Sequence, residues 1–467
     1  VPDRESYDLL IVGGGPAGLA AAAEATAVGL SVGIVDERAT LGGQIYKQFG
    51  PGFEVHDPDA VGPEYARGRR LIDAAVAGAA RVLLRTAAVS LREGTAVLVT
   101  DGERARAVTA RRVLLAPGAH DRPVAFPGWT LPGVLTAGGA QTLVKTQRVL
   151  PGERMVFAGS GPLALAFPAQ LQGYGADIAL VCEAGPAPRP GDVARMLRAA
   201  PGNVDLLRDA LAYRWRLLRA RVPLRYRRIV VSAEGEGRVE SVTHAAVDDD
   251  WRAVPGTEET VAADTLCLGY GFTGSVELLR LAGCGMDYDE DRGGPVAIVD
   301  DWMRTTAPGV LAAGDGIGVE GVHVATAEGR LAALGAAQDL GLLEPGRAAE
   351  IAAPLRRRLR RRRAFRAALE RLHRVGPGIY ELTTPETVVC RCEEVRRADL
   401  DAVAHASADI NVIKGLTRAG MGLCQGRNCQ RQVAALIAAR HGGHIADVPM
   451  ATPRMPVRPV PLAAVAD

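Results

Sequence analysis

Lysine is almost missing from this chain. Among 467 residues only Lys47, Lys145 and Lys414 occur, so nearly all the basic charge is arginine. The net charge is +2 and the isoelectric point about 8.2, which gives no global field of the kind that gathers nucleic acid. No basic segment with an apolar core precedes the first strand. Val1-Pro2-Asp3-Arg4-Glu5 leads directly into it, so no signal peptide is expected and the expected location is cytoplasmic. The most apolar window, Leu9 to Val35, contains Glu24 and is broken by glycines, which argues against a membrane span there. No C-x-x-C pair follows the first glycine turn, so dithiol reductase chemistry has no carrier. No H-E-x-x-H and no Ser/His/Asp set is legible. His120, His323, His373, His405, His441 and His444 are scattered and read as structural. The catalytic residues are therefore unknown at this level.

What is present begins with Leu10-Ile11-Val12-Gly13-Gly14-Gly15-Pro16-Ala17-Gly18-Leu19. An apolar β-branched run enters glycines and then an alanine-rich segment, which reads as strand, tight turn and helix. Gly13 allows the turn, Gly15 lets a pyrophosphate approach, and Gly18 lets the helix pack on the strand. Pro16 and Ala17 open the helix, whose amide end favours phosphate. A second strand, Ser31 to Val35, ends at Asp36 and Glu37, where a ribose needs an acceptor. Gly43 and Gln44 lie in the glycine-bearing loop beyond. Val113 to Ala119 reads as a buried strand entering a turn at Ala116 to Gly118. Val310 to Gly316 is a strand ending in Gly314-Asp315. A carboxylate held there suits a ribityl or other polyol hydroxyl, or is simply a helix cap.

Residues 157 to 183 then restate residues 11 to 37 at a constant offset. Gly159, Gly161 and Ala164 repeat the turn, Gly175 falls under Gly29, and Glu183 falls under Glu37. That register favours Glu37 over Asp36 as the first ribose ligand. The fold class expected is α/β with two Rossmann-like dinucleotide-binding domains and a small helical domain after them.

Arg356 to Arg363 holds seven arginines in eight positions, interrupted by Leu359. Leu355, Leu359, Phe365, Leu369 and Leu372 keep helical spacing. The reading is an amphipathic linker helix with a solvated arginine face; the alternative is docking to an acidic partner or to an anionic inner-membrane face. Cys390-Arg391-Cys392 and Cys424 to Cys429 follow. Four thiolates in two close pairs suit a [2Fe–2S] cluster, with zinc or unligated thiols as alternatives, and neither pair has the C-x2-C spacing of a zinc knuckle. Leu400, Val403, Ile410, Val412, Ile413, Val433, Leu436 and Ile437 suggest short helices around the ligand loops. Arg391, Lys414, Arg418 and Arg427 would offset an anionic cluster. Cys182, Cys267 and Cys284 read as core.

These motifs together resemble the two-dinucleotide flavoprotein fold of the glutathione reductase type, and the cysteine module resembles the bacterioferritin-associated ferredoxin, though its second pair is C-x4-C rather than C-x2-C. The whole looks like the α subunit of heteromeric amino-acid dehydrogenases, the group of opine oxidase, hydroxyproline dehydrogenase, hydrogen cyanide synthase and heterotetrameric sarcosine oxidase. The resemblance implies a discontinuous FAD domain (1–125 and 265–345), a second nucleotide domain (126–264), a basic linker (346–384), a [2Fe–2S] domain (385–445) and a tail (446–467). It implies that Gly13, Gly15 and Gly18 hold the FAD pyrophosphate, Glu37 or Asp36 its ribose and Asp315 its ribityl or phosphate end. His120, following Gly118, would face the flavin. Gly159, Gly161, Ala164 and Glu183 would sit where that fold binds NAD(P)H. The implied partners are a glycine-oxidase-like β subunit with its own FAD, an FMN at the interface, a small γ subunit, and a quinone or other respiratory acceptor. Two other readings stay open: a self-contained NADH-dependent reductase, and a non-enzymatic iron- or redox-sensing scaffold.

Overall fold

The computed structural model describes residues 6–78, 80–92 and 95–465, so the lead-in Val1 to Glu5 lies outside the described residues. The chain divides into two units. The first comprises residues 1–120, 273–363 and 453–467, and the second residues 121–272 and 364–452.

The first unit is built on a seven-stranded sheet. Strands Arg81–Leu83, Val32–Val35, Ser6–Val12, Ala105–Leu115 and Val310–Ala312 run parallel in that order. Ala96–Thr100 and Ala87–Arg92 add antiparallel strands at one edge. Leu9–Val12, Val32–Val35, Val113–Leu115 and Val310–Ala312 are buried and without polar side chains, as strands covered on both faces are; Leu9, Leu10 and Ile11 are completely buried. Helix Pro16–Ala27 lies against helix Val322–Asp339, and both present small residues at their contact. The terminal stretch belongs here too, since the Val457 amide donates to the Val89 carbonyl.

The second unit carries a five-stranded parallel sheet in the order Leu224–Tyr226, Asp177–Glu183, Arg154–Gly159, Thr265–Gly269, Val134–Thr136. A three-stranded antiparallel meander, Arg228–Glu234, Ser241–Ala246 and Glu259–Ala262, stands beside it. The cysteine-bearing segment does not separate as a unit of its own over 385–445. Ile379 and Tyr380 are buried in the same core as Phe126, Trp251 and Tyr270. The Trp129 indole N–H donates to the Val388 carbonyl at 2.6 Å, and Gln432 Nε2 donates to the Tyr380 carbonyl at 2.6 Å. Within this segment Leu400, Ile410, Ile413, Val433, Leu436 and Ile437 form a small core as the spacing suggests; Val412 is instead exposed.

The arginine run corrects the expectation of a purely solvated face. It lies on one helix, Pro345–His373. Arg363 donates to Glu328 Oε1 at 2.8 Å and to Glu320, and both carboxylates are buried, Glu328 completely. Arg356 stacks over the Trp302 ring at 4.3 Å and donates to the Asp301 carbonyl. Helical periodicity shows which positions share a face, but not which distant carboxylates that face meets. Burial pushes Glu328 up to about 8, with the neighbouring Glu320 charge adding to the shift and the Arg363 guanidinium opposing it. Replacing Arg363 by alanine should cost about 3 kcal/mol in denaturant unfolding, because it strands a buried carboxyl. Arg357→Ala, on the exposed side of the helix, should change stability by less than about 0.5 kcal/mol.

Candidate functional site

The first glycine turn is held by carbonyl oxygens at sub-van der Waals range of any side chain. A Cβ added at Gly13, whose φ is +109°, would stand 2.1 Å from the Ala116 oxygen, and one at Gly18 would stand 1.9 Å from the Gly13 oxygen. Gly15 is different: its nearest neighbour would be Gly43 Cα at 3.7 Å. The protein's own packing does not require glycine there, so the turn leaves room for a group to lie against it. Gly15 caps helix Pro16–Ala27 without a side-chain hydrogen bond, and Pro16 opens it. The first-turn amides of Ala17 and Gly18 thus point outward with no intrahelical acceptor. Gly43 lies over the turn, and the Gly42 amide donates to the Gly14 carbonyl. Gln44 is exposed, and its Oε1 accepts from Lys47 Nζ.

Asp36, not Glu37, is the acid turned into this site. Its Oδ2 accepts from the Gly14 amide at 2.7 Å and its Oδ1 from the Arg38 amide at 2.8 Å. Burial raises its pKa despite those bonds. Glu37 is half exposed and pairs with Arg458 at 3.1 Å. Glu183 does what Asp36 does, accepting from the Gly161 amide at 3.1 Å and the Gly185 amide at 2.9 Å. The constant offset fails because a β-bulge between Ile178 and Leu180 inserts a residue before Glu183. An insertion of this kind leaves the sequence alignment intact while moving the side chain.

Ala116 sits beside Gly13, and the Gly118 carbonyl accepts from the Ser275 amide. Asp315 lies in the short helix Gly314–Ile317, and burial pushes it up to about 6. It does not cap the following helix, whose N-cap is Gly321. The Gly314 amide donates to Glu328 Oε2 at 3.0 Å. Glu328 and Arg363 therefore support the Gly314–Asp315 turn, and sequence reasoning missed both. The one available signal was a glutamate in the middle of a helix rich in alanine and glycine.

At the second turn, a Cβ on Gly159 would stand 2.3 Å from the Gly269 oxygen, and Ala164 is fully buried. Gly161 has φ +87°, and the His373 ring would lie 3.7 Å from a Cβ there. The Leu372 carbonyl oxygen would lie 2.1 Å from one at Gly185. The end of helix Pro345–His373 thus covers the turn. Burial pulls His373 down to about 4 and pushes Glu183 up to about 7.

Cys390 ends strand Val388–Cys390, Cys429 caps helix Gln430–His441, and both are buried; Cys424 is half-buried and Cys392 exposed. The thiols meet across the sequence pairs, Cys390 with Cys429 and Cys392 with Cys424. The Cys429 thiol pulls Cys390 down to about 5, while Cys429 is pushed up, first by Cys390 and then by burial. Among the described residues no group of three or more His, Cys, Asp or Glu stands closed around a single ion position. Four soft donors in two facing pairs fit a thiolate-held cluster in type and number. Cys182, Cys267 and Cys284 are buried.

The model of the family described as pyridine nucleotide-disulphide oxidoreductase matches residues 7–329, and that of the sarcosine oxidase A3 domain matches residues 385–467. The chain is 36% identical to hydrogen cyanide synthase subunit HcnB of Pseudomonas aeruginosa, covering 97% of both chains. It is 34% identical to the A subunit of the opine oxidase of Agrobacterium tumefaciens, covering 98% of this chain and 91% of that one. The solved L-proline dehydrogenase of P. horikoshii matches with a TM-score of 0.72 at 21% identity, covering 100% of this chain and 80% of that one, and shares its fold.

Two variants separate packing from ligand at the first turn. Gly18→Ala should destabilise the chain by about 2 kcal/mol or more, read as a fall in Tm. Gly15→Ala should leave Tm of the cofactor-free chain unchanged but lower the retained dinucleotide. Glu183 gives a pH test. Its ordinary value is 4.5 and its folded value about 7, so between those values the folded state alone holds the proton. Its contribution to stability should fall across that window as pH rises, by up to about 3 kcal/mol, and be flat above it. Because His373 and Glu328 also titrate, the readout is the Tm of the unaltered chain minus that of Glu183→Gln, which should fall across the window and then stay constant.

Proposed function

This chain belongs to the pyridine nucleotide-disulphide oxidoreductase family, and from that premise we propose that it is the electron-transferring subunit of a heteromeric amino-acid or opine dehydrogenase. It is a flavin-dependent oxidoreductase related to opine oxidase and hydrogen cyanide synthase subunits. The observation that carries the proposal is the presence in one chain of a dinucleotide turn with room at Gly15 and of four thiols gathered from two distant segments. When bound, FAD would supply acceptance of an electron pair and its release one at a time, and a [2Fe–2S] cluster would supply single-electron carriage.

The chain's own residues do the holding. The amides after Gly15 take the pyrophosphate, Asp36 accepts a ribose hydroxyl, and Asp315 takes a ribityl hydroxyl. Cys390, Cys392, Cys424 and Cys429 supply thiolates, with Arg391 and Lys414 nearby in sequence. Arg418 is instead engaged by Glu393 at 2.8 Å, and Arg427 donates to the Cys424 carbonyl. The C–N bond is oxidised on a glycine-oxidase-like β subunit, where loss of a hydride and a proton from the amine leaves an imine that water hydrolyses. The proposed assembly is completed by an FMN at the interface, by a quinone or other respiratory acceptor, and by a small γ subunit. Val204, Leu211, Trp215 and Leu218 are exposed along one face of helix Val204–Arg219, which supports a protein partner. No helix of the described residues is long and apolar enough to cross a membrane.

A self-contained NADH-dependent reductase is the competing reading. His373 and Leu372 speak against it, because they pack against Gly161 and Gly185 of the second turn, which that reading would need open for a dinucleotide. Anaerobic stopped-flow mixing decides between them. The isolated FAD-loaded chain should keep its oxidised flavin band with NADH, while the chain co-expressed with its partner should lose it with an amino acid or opine. Rapid bleaching of the isolated chain by NADH would overturn the proposal.

A further inference from the structure

A cavity of about 230 Å³ opens in the first unit, and Arg67, Arg70, Arg330 and Arg358 line it. Three helices and one loop converge on it. Helix Pro63–Ala77 supplies Arg67 and Arg70, helix Val322–Asp339 supplies His323 and Arg330, and helix Pro345–His373 supplies Arg358. Each helix turns positions three, four or seven residues apart towards the cavity, which is how one face of a helix presents itself. Only Arg358 comes from the arginine run, so the clustering is not a local accident of composition. The floor is apolar: Tyr46 and Leu355 are buried, and Leu71 and Ala327 complete it.

The cations here are only partly neutralised. Arg330 pairs with Glu24 at 2.6 Å, and Arg70 with Asp59 at 3.4 Å, the latter pair mostly exposed. Arg67 and Arg358 have no carboxylate partner among the described residues. Arg67, Arg70 and Arg358 are exposed at the mouth, and arginines that line one cavity repel one another and are stabilised by an anion bound among them. The planar fork of arginine matches carboxylate and phosphate oxygens in pairs. The volume falls below the roughly 300–1,000 Å³ of drug-sized sites, so the occupant is small.

We propose that this cavity is a binding site for a small dianion with an apolar body, a phosphate monoester or a dicarboxylate. Its position links it to the first turn. Tyr46 follows Gly43 in the loop that lies over Gly15, and Ala327 precedes Glu328, which holds the Gly314 amide. An occupied cavity would therefore fix both the loop and the helix that frame the dinucleotide site. The inference goes beyond the proposed electron-transfer role and does not depend on it, because its readout is binding.

Isothermal titration of the FAD-loaded full chain with inorganic phosphate, and separately with succinate, tests it, at ionic strength held constant with chloride. One-to-one saturable binding tighter than about 1 mM is expected for at least one of them. Binding of phosphate alone assigns the site to phosphate monoesters, and binding of succinate alone assigns it to dicarboxylates. The double variant Arg67→Ala, Arg358→Ala should weaken binding at least about tenfold. Arg69→Ala, paired with Asp73 on the same helix, should not. Absence of saturable binding by either anion, or equal weakening by Arg69→Ala, would overturn the proposal.

Discussion

Three backbones meet at the start of helix Pro16–Ala27, and the absence of side chains is what lets them. Gly18 rides on the Gly13 carbonyl, Gly13 on the Ala116 carbonyl, and Gly329 of helix Val322–Asp339 on the Ala17 carbonyl, where a Cβ would stand 2.0 Å away. The amide end of the first helix is thereby fixed against the sheet and against a second helix. Fixed amides need no reorganisation when an anion arrives, which is the advantage of building a phosphate site from backbone. Gly15 stands among these glycines with Gly43 Cα, at 3.7 Å, as the nearest atom to a Cβ placed there, which leaves the room that the proposed pyrophosphate needs.

The same region carries an unusual amount of buried acid. Asp36, Asp315 and Glu328 are each driven upward by loss of water. The fold tolerates them because each has a defined task. Asp36 closes the glycine turn through the Gly14 amide, and Glu328 closes the Gly314 turn while accepting Arg363. Asp315 is left as the acid without a hydrogen bond of this kind, which suits a group that waits for a hydroxyl. The arginine-rich helix therefore supports the Gly314 turn through Arg363 and Glu328, and removing Arg363 would loosen a turn on a different segment of the chain.

Much of this architecture was legible in the amino-acid order, and the failures share one cause. Strand–glycine–helix patterns are local, so both βαβ units could be read directly, as could the burial of Cys182 and Cys267. The swap of Glu37 for Asp36 was not legible because a single bulged residue near Ile178 shifts register without leaving a gap in the repeat. The task of Arg363 was not legible because its partners lie on another helix. The thiol contacts, Cys390 with Cys429 and Cys392 with Cys424, were not legible because they depend on how two loops fold towards each other. The sequence reads as a linker over 346–384 and a small domain over 385–445; the hydrogen bonds from Trp129 to Val388 and from Gln432 to Tyr380, which tie these segments to the rest of the second unit, were not legible because they join residues up to hundreds of positions apart.

In the proposed function one polypeptide holds a flavin at its first glycine turn and an iron–sulfur cluster at Cys390, Cys392, Cys424 and Cys429. The most direct measurement is flavin, iron, acid-labile sulfide and zinc content, with the visible spectrum, of the chain purified anaerobically with its co-expressed partner. The expected result is FAD, two irons and two sulfides for each copy of this chain, with loss of the iron and sulfide but not the FAD in Cys390→Ser. Colourless protein with stoichiometric zinc and neither flavin nor iron would contradict it.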